Sequence, residues 1–303
     1  MYVFHSETLT AKVDVAIQRL KNFCPADEPY YLCYSGGKDS DCIRILAALA
    51  DVPHEMHHNL TTADKPETIA YIKSIPDVII DKPHYSDGSI TTMWNLIVKK
   101  QFPPTRQQRF CCEKLKEYGG KGRLKVTGVR MSESRNRSKN TDLVKIIGKP
   151  RKTQKLADSL GLTYRKPFAD SLILNYDNDK ARRMVEHCFR TTSTMLNPIY
   201  DWQDSDVWDF LHYYGCESNP LYASGCRRVG CIGCPLATVR NREKDFAQYP
   251  KYKQLYINAF DRMLTARRES GKETLWETGG QVFAWWMGND PYQLSFFDGE
   301  GAE

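Results

Sequence analysis

The chain has 303 residues, of which 41% are hydrophobic and 26% are charged, a composition typical of globular proteins that fold in water. No apolar stretch approaches the roughly 18 residues that a membrane span needs, and the first residues lack the apolar core of a signal peptide. We therefore expect a cytoplasmic protein without a membrane partner. The length suits one large α/β domain with an appendage, or two domains.

Positive charge is concentrated in the middle of the chain. Between Lys99 and Lys155 there are 18 Lys/Arg and 4 Asp/Glu, a net charge of +14, whereas the whole chain carries +6. A segment of this kind is typical of proteins that bind a polyanion. Because the excess is larger than one nucleotide needs, nucleic acid is a candidate partner. The alternative is a solvated basic surface.

The hydrophobic pattern predicts an alternation of strands and helices. In chain order, we predict a helix over 10–23, strands over 30–34, 55–60 and 78–81, helices from Glu67 and over 89–100 and 106–118, a central strand over 124–129, and helices over 153–160, 178–190, 204–214 and 240–269. This alternation predicts a doubly wound, mostly parallel α/β sheet. We expect an N-terminal helix (1–24), the α/β domain (25–238), and a C-terminal helical extension with a tail (239–303).

A glycine-rich turn stands between the first predicted strand and the next helix. It reads Ser35-Gly36-Gly37-Lys38-Asp39-Ser40, and we call it the glycine loop. Two adjacent glycines let the backbone turn sharply and approach an anion, and the first N–H groups of the helix lack intrahelical partners. Neither the Walker A spacing nor G-x-G-x-x-G is present. The loop therefore predicts a phosphate site of another class.

Cysteine is abundant, with ten residues in the chain. Cys226, Cys231 and Cys234 lie close together among glycines, and Cys111-Cys112 form a tandem pair. Four thiolates suit zinc or an iron–sulfur cluster, and the lack of a second Cys-x-x-Cys favours [4Fe–4S]. Zinc and unligated thiols are the alternatives. The other five cysteines are interpreted as small buried hydrophobic residues: Cys24, Cys33, Cys42, Cys188 and Cys216.

Taken in order, these landmarks resemble the PP-loop ATP-pyrophosphatases of the phosphoadenylylsulfate (PAPS) reductase family over roughly residues 25–240. The matching pieces are Ser35–Ser40, Pro66-Glu67-Thr68, Cys111-Cys112 with Lys114 and Lys116, Thr127-Gly128-Val129-Arg130 with Ser132, Ser134 and Arg135, Asn197-Pro198-Ile199-Tyr200-Asp201-Trp202, Asp206-Val207-Trp208, Asn219-Pro220-Leu221-Tyr222, and Cys231-x-x-Cys234.

The resemblance implies an adenine nucleotide α-hydrolase-like, Rossmann-like fold that binds ATP with Mg²⁺. We expect the loop amides and Lys38 to hold the β and γ phosphates, and Asp39 to anchor Mg²⁺. Arg130, Arg135 and Arg137 are candidate clamps on the adenylate or a substrate phosphate, with solvated charge as the alternative, and Arg130 completes the predicted catalytic set. The remaining predicted nucleotide-binding residues are Ser35, Gly36, Gly37, Ser40, Glu67, Gly128, Arg135 and Arg137.

In the adenylylsulfate-using reductases of that family, the tandem cysteines and the Cys-x-x-Cys ligate a [4Fe–4S] cluster. Carried over, the ligands are Cys111, Cys112, Cys231 and Cys234. Cys226 is a fifth thiol. From the sequence we prefer Cys112, Cys226, Cys231 and Cys234 as the four ligands.

One departure from the family decides the predicted function. Sulfonucleotide reductases carry a C-terminal Glu-Cys-Gly-Leu-His whose cysteine attacks sulfur, whereas no cysteine follows Cys234 here. Without that cysteine, the chain is similar in logic to the sulfurtransferases of DNA phosphorothioation and tRNA thiolation. This resemblance implies ATP-dependent adenylation with sulfur transfer or another modification of nucleic acid. A sulfur-donor protein is a possible partner. The alternatives are a PAPS or adenylylsulfate reductase that uses an external thiol, and a non-enzymatic clamp- or nucleic-acid-associated accessory protein.

The tail contains Gln293-Leu294-Ser295-Phe296-Phe297. This pentapeptide resembles the Gln-Leu-Ser-Leu-Phe motif by which bacterial proteins engage the replication sliding clamp. Short extended peptides of this kind place apolar side chains in a preformed pocket. A clamp contact would favour DNA over tRNA as substrate, and the alternative is that the segment docks on its own domain.

Overall fold

The computed structural model describes residues 7–133, 143–147, 154, 155, 158, 164, 165, 171–174 and 193–288. The chain forms two compact units that interleave in sequence. Unit 1 comprises residues 1–58, 67–81 and 119–229, and unit 2 comprises residues 59–66, 82–118 and 230–303. The domain boundaries expected at residues 24 and 238 stay a prediction.

The described residues alternate strands and helices as the hydrophobic pattern indicates. In chain order the elements are α1 (Glu7–Asn22), β1 (Tyr30–Cys33), α2 (Lys38–Leu49), β2 (His54–Asn59), α3 (Pro66–Ser74), β3 (Val78–Asp81), α4 (Met93–Lys100), a π-helical turn (Cys112–Lys116), β4 (Leu124–Val126), a 3-10 turn (Met131–Glu133), β5 (Val144–Ile147), β6 (Tyr164–Arg165), β7 (Ser171–Leu174), β8 (Ser193–Leu196), α5 (Asp204–Tyr213), α6 (Val239–Gln248), α7 (Pro250–Glu269) and α8 (Gly279–Met287).

The strands form one sheet in the order β3-β2-β1-β4-β8-β5-β7-β6. Strand β1 pairs in parallel with β2 and β4, with Leu32 opposite Met56 and Val126, and β4 pairs in parallel with β8. The short strands β5, β6 and β7 add an antiparallel edge. The predicted fold class, a mostly parallel, Rossmann-like α/β sheet, is confirmed. In such a sheet the carboxyl end of β1 leads directly into the glycine loop.

Unit 1 has its own hydrophobic core, to which α1 contributes a continuous apolar stripe. Leu9, Val13 and Leu20 are each at most 1% exposed, and α2 adds the fully buried Leu46. Burying an aliphatic side chain of this size contributes about 1.5–3 kcal/mol. These contacts hold α2, and with it the glycine loop, against the sheet.

Aromatic side chains form much of the hydrophobic core of unit 2. Trp286 of α8 lies 4.8 Å from Tyr256 and 5.6 Å from Phe260, and Phe246 lies 5.0 Å from Phe283, measured between ring centroids. The Phe260 and Phe283 pairs are edge-to-face and the Tyr256 pair is tilted, and aromatic packing of this kind adds about 0.5–1.5 kcal/mol per pair beyond burial. The helices α6, α7 and α8 are therefore a packed part of unit 2.

Two predicted helices differ in the structure, and the segment 106–118, expected to be helical in whole or in part, contains a π-helical turn at Cys112–Lys116. The helix expected over 240–269 is two helices, because Pro250 starts α7 and cannot donate a backbone hydrogen bond to continue α6. The helix expected from residue 89 begins at Met93, where the Thr92 side chain accepts from the Asn95 N–H. The helices expected over 178–190 and over most of 153–160 lie outside the described residues.

Helix α8 was not expected from the sequence, since it begins with Gly279-Gly280 and is apolar almost all round. Glycine is required at position 279, because a Cβ atom there would lie 2.3 Å from the Ile257 carbonyl oxygen of α7. Packing against α7 thus overrides the low helix propensity of glycine. Among the helices of the described residues, no segment combines the length and hydrophobicity required of a membrane span.

Candidate functional site

The glycine loop makes a tight turn between β1 and α2. Gly36 has φ of +69°, and a Cβ atom there would lie 2.9 Å from the Ile72 Cγ1 atom, so both conformation and space require glycine. Gly37 is the N-cap of α2. The turn thus presents the first backbone N–H groups of α2 at the end of the central strand.

Hydroxyl groups stabilise the turn from inside. The Ser40 Oγ atom donates to the Gly37 carbonyl oxygen at 2.7 Å and accepts from the Gly37 N–H at 3.1 Å. Ser35 donates to the Ser40 Oγ atom at 3.3 Å, while Ser35 itself is exposed. Ser40 is therefore engaged with the loop backbone, and Ser35 is the hydroxyl of the loop that faces outward.

Two cations of unit 1 converge on one carboxylate oxygen. The Lys38 Nζ atom lies 2.6 Å from the Asp204 Oδ1 atom, and the Arg130 Nη2 atom lies 2.9 Å from the same oxygen. The side chains of Lys38 and Arg130 are only 7% and 2% exposed, whereas that of Asp204 is 65% exposed. Burial raises the pKa of the Asp204 carboxyl, but the hydrogen bonds from both cations outweigh it and hold the pKa below its usual range.

Arg130 also pairs with Asp39. Its Nε atom lies 2.7 Å from the Asp39 Oδ1 atom, and its Nη1 atom donates to the Ser132 Oγ atom at 3.0 Å. Arg130 and Asp39, expected as a phosphate clamp and a Mg²⁺ anchor, are thus paired with each other in the ligand-free site. Arg130 joins the end of β4 to the glycine loop.

The structure places the predicted residue Gly128 against Asp39 and the predicted residue Glu67 at the start of α3. At Gly128 a Cβ atom would approach the Asp39 backbone carbonyl carbon and oxygen to 2.8 Å, so only glycine lets the chain after β4 pass this close to α2. Glu67 stands in the first turn of α3 and is half-buried. The next residue, Thr68, accepts a hydrogen bond from Asn219 at 3.2 Å.

The segment after α5 reaches back to the loop. The Asn219 side chain donates to the Gly36 carbonyl oxygen at 2.9 Å, and the Lys38 N–H donates to the Tyr222 hydroxyl at 3.0 Å. The Tyr222 ring packs edge-on against Trp208, with centroids 5.1 Å apart. Sequence reasoning noted the stretches that contain these residues, but it assigned no site role to Asp204, Asn219 or Tyr222.

Two sets of predicted residues lie outside the described residues, and their roles stay predictions. They are the arginines Arg135 and Arg137 and the tail segment Gln293–Phe297.

Four of the predicted thiols belong to unit 2. Cys111 hydrogen-bonds to Cys112, and with burial and the nearby Cys231 and Cys234 this raises the pKa of Cys111. The same hydrogen bond lowers the pKa of Cys112 to about 6. Burial first, then the charge of Asp64, raises the pKa of Cys231 to about 12. Cys111 is thus within electrostatic range of Cys112, Cys231 and Cys234.

The backbone around Cys231 and Cys234 is firmly supported. The Ile232 N–H donates to the Ala63 carbonyl at 2.8 Å, and the Tyr256 hydroxyl donates to the Ile232 carbonyl at 3.0 Å. Gly233 has φ of +67°, and a Cβ atom there would lie 2.6 Å from the Phe246 ring. The aromatic core of unit 2 therefore determines the path of the Cys-x-x-Cys loop.

The thiols do not converge as ligands in the structure. Within the described ranges, no three His, Cys, Asp or Glu side chains lie close enough together to hold a metal ion. Cys226 belongs to unit 1, unlike the other four. Among the five cysteines expected to be hydrophobic, Cys42 is buried, Cys24, Cys33 and Cys216 are half-buried, and Cys188 lies outside the described residues.

Several known proteins are similar to parts of this chain. The "Uncharacterized 37.8 kDa protein in gpa 5'region" of Escherichia phage 186 is 31% identical over 80 residues, which are 26% of this chain and 24% of that protein. Protein MJ0973 of Methanocaldococcus jannaschii is 25% identical over 245 residues, 78% of this chain and 47% of that protein. Adenosine 5'-phosphosulfate reductase of Burkholderia cepacia is 33% identical over 61 residues, 20% of this chain and 21% of that protein. The chain thus spans less than half the length of these relatives.

Among solved structures, Candida glabrata FMN adenylyltransferase matches with a TM-score of 0.41 and 11% sequence identity, over 75% of this chain and 62% of that chain, a likeness too distant to carry an argument. The family comparison is decisive. The model of the phosphoadenosine phosphosulfate reductase domain matches residues 29–237, which include the glycine loop, Arg130, Asp204 and all five candidate cysteine ligands. This chain therefore belongs to the phosphoadenosine phosphosulfate reductase domain family.

Proposed function

We propose that this protein binds ATP at the glycine loop and cleaves it between the α and β phosphates to adenylate a substrate. The observation that carries the proposal is the convergence of Lys38 and Arg130 on a single oxygen, beside the N-terminus of α2. Two buried cations and helix N–H groups at one point form a site for a phosphate oxygen.

Residues of the glycine loop and of the segment after β4 would each contribute to holding the nucleotide. Lys38 would neutralise the β and γ phosphates and stabilise pyrophosphate as it leaves. Arg130 would orient Asp39, whose carboxylate is a hard-oxygen ligand suited to Mg²⁺. Gly128 keeps the chain after β4 close to α2, so that the loop needs little rearrangement when the phosphates bind. Positioning and charge neutralisation of this kind account for most of the acceleration in phosphoryl-group chemistry.

Replacing Lys38 with alanine is expected to weaken ATP binding by about ten- to a hundredfold, since one charge-assisted contact is worth roughly 1.5–3 kcal/mol. The measurement is calorimetric titration of ATP with Mg²⁺. Lys12 offers a matched control, because it is also a lysine paired to α5, through Asp206 at 2.5 Å. Lys12→Ala should bind ATP as the unmodified protein does. Equal affinity of Lys38→Ala and the unmodified protein would place the phosphates elsewhere.

The same preparation separates the enzyme classes. Incubation with ATP and acceptor should release pyrophosphate if the chain adenylates a substrate. Incubation with PAPS or adenylylsulfate and an external thiol should release sulfite if the chain is a reductase. Release of neither product would favour an accessory protein that retains a nucleotide pocket.

We further propose that unit 2 holds a [4Fe–4S] cluster through Cys111, Cys112, Cys231 and Cys234. The proposal is supported by the placement of these four thiols in one unit and by their effects on one another's pKa. Ligation requires the side chains to turn toward a common centre, because they do not converge as they stand. When bound, the cluster would supply a centre that carries sulfur or electrons.

Nucleic acid, with DNA favoured over tRNA, remains the proposed acceptor, and the basic stretch from Lys99 to Lys155 supports it. The proposed link to DNA is the tail. A peptide of residues 290–303 is expected to bind purified sliding clamp at a few hundred micromolar or tighter, since Leu294 and Phe297 match the apolar positions of the clamp motif. A Leu294→Ala, Phe297→Ala peptide is the control. Equal binding by both peptides, or none by either, would remove the clamp from the proposal.

A further inference from the structure

The phosphate position of the glycine loop is occupied by groups of the protein itself. The Asp204 Oδ1 atom accepts from both Lys38 and Arg130, at 2.6 and 2.9 Å. The Tyr222 hydroxyl accepts from the Lys38 N–H at 3.0 Å. An ammonium, a guanidinium and the backbone N–H of a helix N-terminus are all donors that commonly bind phosphate oxygens. Here each of them already has an acceptor.

The two cations and their acceptor differ in burial. Lys38 and Arg130 are almost completely buried, so their positions are determined by packing around them. Asp204 stands at the first position of α5, and nearly two-thirds of its side chain is exposed. Its carboxylate can turn into solvent without moving α5 or opening the core. Of the three side chains, therefore, Asp204 is the one that can move away from the other two.

We infer that Asp204 and Tyr222 are acceptors that the nucleotide phosphates displace, so that Asp204 sets the affinity of the glycine loop for phosphate. The inference rests on the proposed function, because it assumes that phosphates bind at Lys38 and Arg130. A phosphate oxygen takes the place of the Asp204 carboxylate oxygen, and the Lys38 N–H exchanges the Tyr222 hydroxyl for a second phosphate oxygen. The carboxylate then faces solvent, where its charge is hydrated.

The pairing with Asp204 compensates the charge of the two buried cations. An unpaired buried charge is strongly unfavourable, and an exposed carboxylate that pairs with it removes that penalty. The same pairing lowers the affinity for phosphate, because each ligand must first break the contacts to Asp204. The result is a loop that discriminates in favour of ligands with several phosphate oxygens, such as pyrophosphate or a nucleoside triphosphate, over a single weak anion.

The test is calorimetric titration of inorganic pyrophosphate in EDTA, so that no divalent cation takes part. Asp204→Asn is expected to bind pyrophosphate about tenfold more tightly than the unmodified protein, the equivalent of one charge-assisted contact that no longer has to be broken. Tyr222→Phe, which leaves the Lys38 N–H without its acceptor, is expected to bind more tightly as well. If Asp204 merely positions the two cations, Asp204→Asn binds more weakly, and the inference is wrong.

Asp209→Asn is the matched control, because Asp209 is an exposed carboxylate on the same helix. It removes the same charge from α5 without touching Lys38 or Arg130, and it should leave the affinity for pyrophosphate unchanged. If Asp209→Asn and Asp204→Asn raise the affinity for pyrophosphate equally, the cause is the removal of one negative charge at long range rather than exchange. That result would overturn the inference. If pyrophosphate binds the unmodified protein and Lys38→Ala weakens binding by about tenfold or more while Asp204→Asn has no effect, the exchange fails but the proposed function stands. Absence of binding in the unmodified protein would overturn both.

Discussion

Anaerobically purified protein is expected to contain about four irons per chain, and Cys231→Ser is expected to lose most of them. The thiol of Cys231 lies in the loop whose path is set by contacts from Ala63 and Tyr256, so its neighbours cannot easily supply a replacement ligand. Iron and acid-labile sulfide are measured together with the visible absorption spectrum. Cys234→Ser should behave in the same way.

Two further cysteine variants sharpen this prediction. Cys216→Ser is the control, because this half-buried thiol of unit 1 has its pKa raised by burial and neighbouring charges and is not a proposed ligand. The Cys216→Ser protein should contain as much iron as the unmodified protein. Cys226→Ser distinguishes the two ligand sets: retained iron supports the four thiols of unit 2, and lost iron supports the set preferred from the sequence. Stoichiometric zinc without iron would contradict the cluster proposal.

Asp245→Ala is expected to lower the free energy of unfolding by about 3–5 kcal/mol, because it leaves the ammonium of Lys65 buried and unpaired. The Lys65 Nζ atom lies 2.8 Å from the Asp245 Oδ1 atom, and the two side chains are 7% and 14% exposed. The Tyr249 ring centroid, 5.7 Å from the same nitrogen, compensates only part of the charge. Urea denaturation followed by tryptophan fluorescence measures the change.

An exposed ion pair of the same unit provides the control. Lys114 and Glu113 are 2.7 Å apart but 49% and 64% exposed, so Glu113→Ala should change stability by about 1 kcal/mol or less. Adding Lys65→Met to Asp245→Ala removes the stranded charge and should recover much of the loss. A loss below about 1 kcal/mol in Asp245→Ala would mean that water or another group solvates Lys65.

Much of the fold could be predicted from local signals. The period of the apolar residues in α1 and α5 predicted both helices, and β3 was predicted with the bounds observed. Predictions were weakest where tertiary contacts override local preference. Helix α8 begins with two glycines because α7 passes too close for a side chain, and nothing in the order of residues 276–288 reveals the neighbouring helix.

The sequence by itself determined the glycine loop and its place in the fold. Two adjacent glycines between an apolar run and a helical period indicate a tight turn, because glycine adopts the backbone conformations that such a turn needs. It also placed Gly128 and Arg130 at the end of a central strand, and the structure brings both against Asp39. The family resemblance implied Cys111, Cys112, Cys231 and Cys234 as ligands, whereas the set preferred from the sequence had Cys226 in place of Cys111; the structure places Cys226 in unit 1 and the other four in unit 2.

Only the tertiary structure decided which groups accept hydrogen bonds from Lys38 in the glycine loop. Asp204 and Tyr222 lie 166 and 184 residues from Lys38 along the chain, and each is one of many residues of its type. An acceptor for a buried cation is selected by distance and burial, and neither quantity is encoded in residue type or local spacing. For the same reason the pairing of Arg130 with Asp39, and of Lys65 with Asp245, emerged only when the chain was folded.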